Sequence, residues 1–145
     1  MLRPRNQDRG VLSASEIRKT YEKVFGKLSW WQQLFQKPYQ FADKYYQPVN
    51  EELIQMILDA DAGDKENYET EWYDCDNFAF ALMGVFHQNR EAAAMPIFVT
   101  WVMIPEGGHA VLSYVTNNGE VRIIEPQNDQ VFEVPAKWRL LLLCG

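Results

Sequence analysis

The sequence predicts an α+β protein, with a helical first half followed by an antiparallel sheet. Three observations carry that prediction. Before position 90 apolar residues recur at helical spacing, as in Leu53, Ile54, Ile57 and Leu58. After position 95, runs rich in β-branched and aromatic residues alternate with turn signals, starting with Pro96 to Ile104, PIFVTWVMI. Helices that precede an uninterrupted run of strands give segregated layers, not a βαβ alternation.

The elements follow in chain order. Ser15 is placed to cap a helix running from Glu16 to Phe25 and stopped near Gly26. The aromatic, glutamine-rich stretch Trp30-Trp31-Gln32-Gln33-Leu34-Phe35, with Tyr39, Phe41, Tyr45 and Tyr46 after it, reads as core packing. Asn50 caps a second helix. Eight carboxylates then lie between Asp59 and Asp76 against the single cation Lys65. The opening Asp59-Ala60-Asp61-Ala62-Gly63-Asp64 invites comparison with an EF-hand, but the glycine comes one position early and the twelfth residue is Thr70, not a bidentate glutamate. A solvated acidic loop is the reading that remains.

Asp74 suits the cap of a third helix, whose Cys75, Phe78, Ala79, Leu82 and Phe86 share one face. Strands are expected at 96–104, 110–115, 121–124, 130–134 and 139–144. One domain spans residues 1–145: a helical part and acidic loop over 1–70, the cysteine helix over 71–90 and the antiparallel sheet over 95–145. That length supports a single core without disulfide staples.

Composition narrows the function classes. A formal net charge of -6, with no basic stripe interleaved with aromatics, argues against nucleic acid and for neutral or cationic partners. The start, MLRPRNQDRG, is positively charged but no apolar stretch follows it. The longest apolar run, Ile97 to Ile104, falls far short of the roughly 20 residues a membrane span needs. Two cysteines do not make a secreted disulfide framework, so a cytoplasmic protein is expected.

The stretch EWYDCDNFAF, residues 71–80, sets Cys75 between two aspartates. Neighbouring negative charge raises a thiol pKa, so the thiol is either inert or compensated by something positive. Cys75 reads equally as a small buried hydrophobe or as a thiol favoured by the positive end of a helix dipole. His87 lies about 18 Å further along the same helix and cannot serve it. His109, after Gly107-Gly108, opens a strand and can. If Asn117-Asn118-Gly119 forms a three-residue loop, Thr116 pairs with Glu120, and His109 shares a face with Glu125 and lies opposite Gln127. A two-residue loop would move Glu125 to the other face.

The motifs YDCDNFA, GGHA and IEPQN resemble papain-like and transglutaminase-like cysteine enzymes. More narrowly, they resemble the calcium-dependent cysteine-peptidase domain at the carboxyl end of Gal-binding fungal agglutinins and related short bacterial proteins. The resemblance covers roughly residues 70 to 130. It implies a papain-like cysteine proteinase fold and a triad of Cys75 as nucleophile, His109 as base and Glu125 as orienting acid. It also implies calcium as cofactor, with ligands from Asp74, Asp76, Gln127 and Asn128, and a protein or peptide substrate. A calcium ion between the flanking carboxylates would reverse the local field and free the thiolate. The backbone N–H of Cys75 would supply one oxyanion donor, and Gln47, Asn67 and Trp72 compete for the second.

Three functions are carried forward from these residues. The first is a metal-dependent cysteine peptidase working through an acyl-enzyme. The second is a transglutaminase or acyltransferase on the same triad, and the third is a non-enzymatic binding module that keeps the fold.

Overall fold

A computed structural model describes residues 10–145 of the chain, so the expectation attached to the first nine residues lies outside them. A two-residue strand, β1 (Leu12–Ser13), leads directly into helix α1 (Ala14–Phe25). Ser13, not Ser15, caps this helix: its hydroxyl accepts from Glu16 N at 3.2 Å and Glu16 Oε2 accepts from Ser13 N at 2.8 Å. The reciprocal pair needs an acid three residues after the cap, and Ser13 has Glu16 there whereas Ser15 has Arg18. Gly26, at φ 91°, ends the helix where expected.

Helix α2 (Trp30–Gln36) follows, capped by Ser29. It buries none of its residues, which corrects the expectation of core packing for its aromatics. Trp30, Trp31 and Phe35 are 63%, 55% and 74% exposed and stack on one another, with ring centroids 4.0 Å apart for the tryptophans and 5.8 Å for Trp31 and Phe35. A seven-residue helix makes fewer than two full turns, and here the aromatic side chains shield each other. Two short strands, β2 (Tyr39–Gln40) and β3 (Tyr45–Tyr46), come next, and strand alternation leaves Tyr45 exposed while Tyr46 is buried.

Asn50 caps α3 (Glu51–Ala60) through a 3.1 Å bond from Leu53 N to its Oδ1. A 3-10 turn at Gly63–Lys65 sits in the acidic loop, and α4 (Cys75–Gln88) begins after Asp74 as expected. Strands β4 (Ile97–Ile104), β5 (Gly107–Val115), β6 (Val121–Glu125), β7 (Gln130–Glu133) and β8 (Arg139–Cys144) complete the chain.

Six strands form one sheet in the order β2-β8-β4-β5-β6-β7, and β1 pairs with β3 separately. Here the expected layout is corrected. The sheet is mixed, because β2 runs parallel to β8, and the first half of the chain contributes three strands as well as helices. The β-prone Tyr39-Gln40 pair lies against Leu143 and Cys144 and so extends the sheet at its edge.

Both faces of the sheet are covered. One carries α3 and α4, packing Ile54, Leu58, Ala79, Leu82 and Phe86 on Ile97, Val99, Leu112 and Ile124. The other carries α1, packing Ile17 and Tyr21 on Phe98, Val115, Val121 and Leu143. A buried hydroxyl chain crosses the second face: Tyr21 Oη lies 2.6 Å from Ser113 Oγ, which lies 2.6 Å from Thr100 Oγ1.

The β5–β6 hairpin takes the three-residue loop. Leu112 pairs with Ile124 and Val115 with Val121, Thr116 N donates to Glu120 O at 2.8 Å, and Gly119 adopts φ 76°. That left-handed conformation favours glycine.

Candidate functional site

The hairpin register decides what His109 meets. With pairing fixed by the three-residue loop, His109 and Glu125 share a face, and His109 Nε2 lies 2.6 Å from Glu125 Oε2. An ionised carboxylate only accepts, so the neutral imidazole carries its proton on Nε2 and leaves Nδ1 as an acceptor. Both side chains are 16% exposed, in a dielectric lower than water. Gln127 N donates to Glu125 Oε1 at 3.3 Å, so both oxygens of the carboxylate are engaged. Trp138 stands edge-on to the imidazole at 6.4 Å and Phe132 edge-on to Trp138 at 5.8 Å.

Cys75 is the first residue of α4, half-buried against the core cluster that α4 shares with β4 and β5. Phe80 on α4 packs edge-on against Trp101 on β4, with ring centroids 5.6 Å apart. Five residues of helix rise by about 7.5 Å and strands by about 3.3 Å per residue. The start of α4 therefore lies toward the Met103 end of β4, where the partner on β5 is Gly108, next to His109. Thiol and imidazole are brought to the same end of the sheet. Strand alternation, however, turns His109 away from the face on which Ala110 and Leu112 pack beneath α4. Among the described residues no hydrogen bond joins Cys75 to His109.

The acidic residues separate into two groups. Asp76 raises the Asp74 carboxyl above the ordinary carboxylate range, first through a hydrogen bond between the two, then with help from desolvation. Asn77 Oδ1 accepts from Asp74 N at 3.1 Å and closes the first turn of α4. Asn128 Oδ1 accepts from Gln130 N at 3.0 Å, which shapes the turn between β6 and β7.

The second group is Asp61, Asp64 and Asp129, with one oxygen from each lying within 4.8 Å of the others. Burial, then Asp61, Asp64 and Asp59, push the Asp129 carboxyl up to about 7. Sequence reasoning left Asp61 and Asp64 in a solvated loop and passed over Asp129. The available signal was its place directly after Gln127 and Asn128, in a turn that the hairpin register carries toward the acidic loop.

No helix among the described residues is long and apolar enough to cross a membrane. No protein-family model matches the chain, and no curated protein does. Solved structures do. The chain superposes on PSL1a in its complex with E64 at a TM-score of 0.75 and 18% identity, over 93% of this chain and 51% of that one. It also superposes on Polyporus squamosus lectin bound to the human-type influenza-binding epitope Neu5Acα2-6Galβ1-4GlcNAc, at a TM-score of 0.69 and 17% identity, over 93% of this chain and 49% of that one. The chain thus spans about half the length of each.

These superpositions correct the family expected from the motifs. In place of a papain-like cysteine peptidase, with the thiol-protease and hydrolase labels that go with it, the named structure that shares this topology is a lectin. YDCDNFA, GGHA and IEPQN are short motifs that specify a helix start and two strand ends. A superposition over 93% of the chain compares the whole arrangement of elements. The chain has the fold of about half of a lectin chain.

Proposed function

We propose that this chain is a non-enzymatic binding module. The observation that carries the reading is its superposition, over 93% of its length, on half of a lectin chain. Glycan is the ligand class to test first, because one of the superposed structures holds a sialylated trisaccharide.

A second reading rests on one observation, the 2.6 Å His109–Glu125 bond at the end of the sheet where α4 begins. On that reading the chemistry is acyl-group transfer. The Cys75 thiol gives its proton to His109 Nδ1, its sulfur attacks a carbonyl carbon, and the imidazolium returns the proton to the leaving group. Glu125 holds the imidazole in the required tautomer, and the Cys75 backbone N–H meets the developing oxyanion. An amine acceptor then takes the acyl group from sulfur.

Calorimetric titration with Neu5Acα2-6Galβ1-4GlcNAc, beside intact-mass measurement after treatment with E64, an epoxide that alkylates thiolates, separates the two. The module reading expects saturable glycan binding and an unchanged mass. A stoichiometric adduct mapped to Cys75, without glycan binding, overturns it in favour of acyl transfer.

A further inference from the structure

Trp30, Trp31, Leu34 and Phe35 stand at positions i, i+1, i+4 and i+5 and so share one face of α2, with the same spacing by which Leu53, Ile54, Ile57 and Leu58 face the core from α3. On α2 that face looks outward. Leu34 is 56% exposed, beside the two tryptophans and Phe35. The glutamines take the side toward the protein: Gln32 and Gln36 line a cleft with Phe25, Tyr39 and Leu140, and Gln33 lines a second cleft with Arg18 and donates to Leu28 O at 2.8 Å. None of the four apolar side chains lines either cleft. The helix is amphipathic with its faces reversed, and a contiguous exposed apolar face of this kind marks an interaction surface.

Charge indicates what covers it. No Asp or Glu occurs from residue 23 to residue 42. Residues 18–44 carry six of the 14 Lys and Arg against Glu22 and Asp43 alone, a net charge of +4 within a chain of net charge -6. Lys27 and Lys37 bracket α2, both exposed and, among the described residues, in no ion pair. At physiological salt a charge is screened within about 8 Å, so these lysines govern the field at α2 more than the net charge of the chain does.

Tryptophan, leucine and phenylalanine on one helix face, flanked by lysines, suit the headgroup layer of a bilayer. The rings sit at the boundary with the acyl chains, and the lysine stems lie along apolar surface with their ammonium groups in water. A second copy of the chain fits worse, because a two-fold contact would set one +4 segment against another.

We propose that α2 seats the chain on a bilayer surface carrying anionic lipid, with Trp30, Trp31, Leu34 and Phe35 among the headgroups and Lys27 and Lys37 beside the lipid phosphates. The surface stands on α2 and its flanking lysines, whether the chain binds a glycan or transfers an acyl group elsewhere.

Co-sedimentation of the full chain with vesicles tests it, using phosphatidylcholine alone and phosphatidylcholine with about 30% phosphatidylserine, so that no glycan is present. The proteins are wild type, Trp31→Gln with Phe35→Gln, Lys27→Gln with Lys37→Asn, and Trp72→Gln, whose 81% exposed ring lies outside α2. Asparagine tolerates the φ of 39° at position 37 and the other replaced side chains are exposed, so every variant should melt where wild type does. Wild type should bind the phosphatidylserine vesicles at least tenfold more tightly than phosphatidylcholine alone, and less tightly as salt rises. Both α2 variants should lose tenfold or more in affinity, while Trp72→Gln binds as wild type does. Wild type that stays in the supernatant with both vesicles overturns the proposal, as do equal binding to both and undiminished binding in Trp31→Gln with Phe35→Gln. A dimer seen without lipid by sedimentation velocity, and lost in that variant, would give the face to a second copy and equally overturn it.

Discussion

Replacing Phe98 with alanine is expected to destabilise the chain by about 3–5 kcal/mol, the usual cost of truncating a fully buried phenylalanine. Phe98 is 0% exposed. It stands on β4, and its ring meets those of Tyr21, Phe41 and Tyr46 edge-on at 6.1, 5.5 and 5.3 Å. These neighbours come from α1, from the segment between β2 and β3, and from β3. The cavity would therefore open where three separate pieces of the first half meet the sheet, and side chains fixed by separate elements cannot all collapse into it. Urea unfolding checks the value. A loss under about 1.5 kcal/mol would mean that the α1 face closes around the gap and is less tightly packed than described.

The second large effect is expected at Ser113. Its hydroxyl stands 2.6 Å from both Tyr21 Oη and Thr100 Oγ1 and is fully buried. Thr100 Oγ1 can still donate to Phe98 O at 3.2 Å once Ser113 is gone, but among the described residues the phenol of Tyr21 has no other hydrogen-bond partner. Ser113→Ala should thus cost about 1–3 kcal/mol, the desolvation penalty of an unpaired buried hydroxyl. Tyr21→Phe should cost less, because it leaves Ser113 bonded to Thr100. The double variant Tyr21→Phe with Ser113→Ala should recover part of the loss, since it removes both members of the pair. Strict additivity in that cycle would show that the two hydroxyls do not interact.

Much of this fold was legible because the strongest signals are local. Asn50 and Asp74 stand directly before apolar helical runs, and α3 and α4 start after them. Asn117-Asn118-Gly119 sits between two strands whose apolar residues match in a single register, and that register holds. The same register makes the His109–Glu125 pair readable from the sequence. Features that depend on distant partners were not legible. The pairing of Tyr39 and Gln40 with the last residues of the chain needs two strands nearly the whole sequence apart, and two residues carry no periodicity. The exposure of Trp30, Trp31 and Phe35 also escaped, because composition speaks of burial in general and not of whether a short helix has a surface to pack on. Asp129 joins Asp61 and Asp64 across more than sixty residues, and no spacing rule reaches that far. The family expected from the motifs is corrected for the opposite reason, since short local motifs do not specify a whole topology.

The central claim, that the chain binds without turning over a substrate, is tested most directly by the rate at which iodoacetamide alkylates Cys75 at pH 6. There a free thiol is under about 1% ionised, whereas a thiolate paired with an imidazolium reacts from a fully ionised state. The rate is read by peptide mapping of the native protein, against free cysteine in the same tube, with and without calcium. The account predicts that Cys75 reacts no faster than free cysteine in either condition. A rate at least tenfold above free cysteine, lost in His109→Ala, would contradict it and make Cys75 a nucleophile.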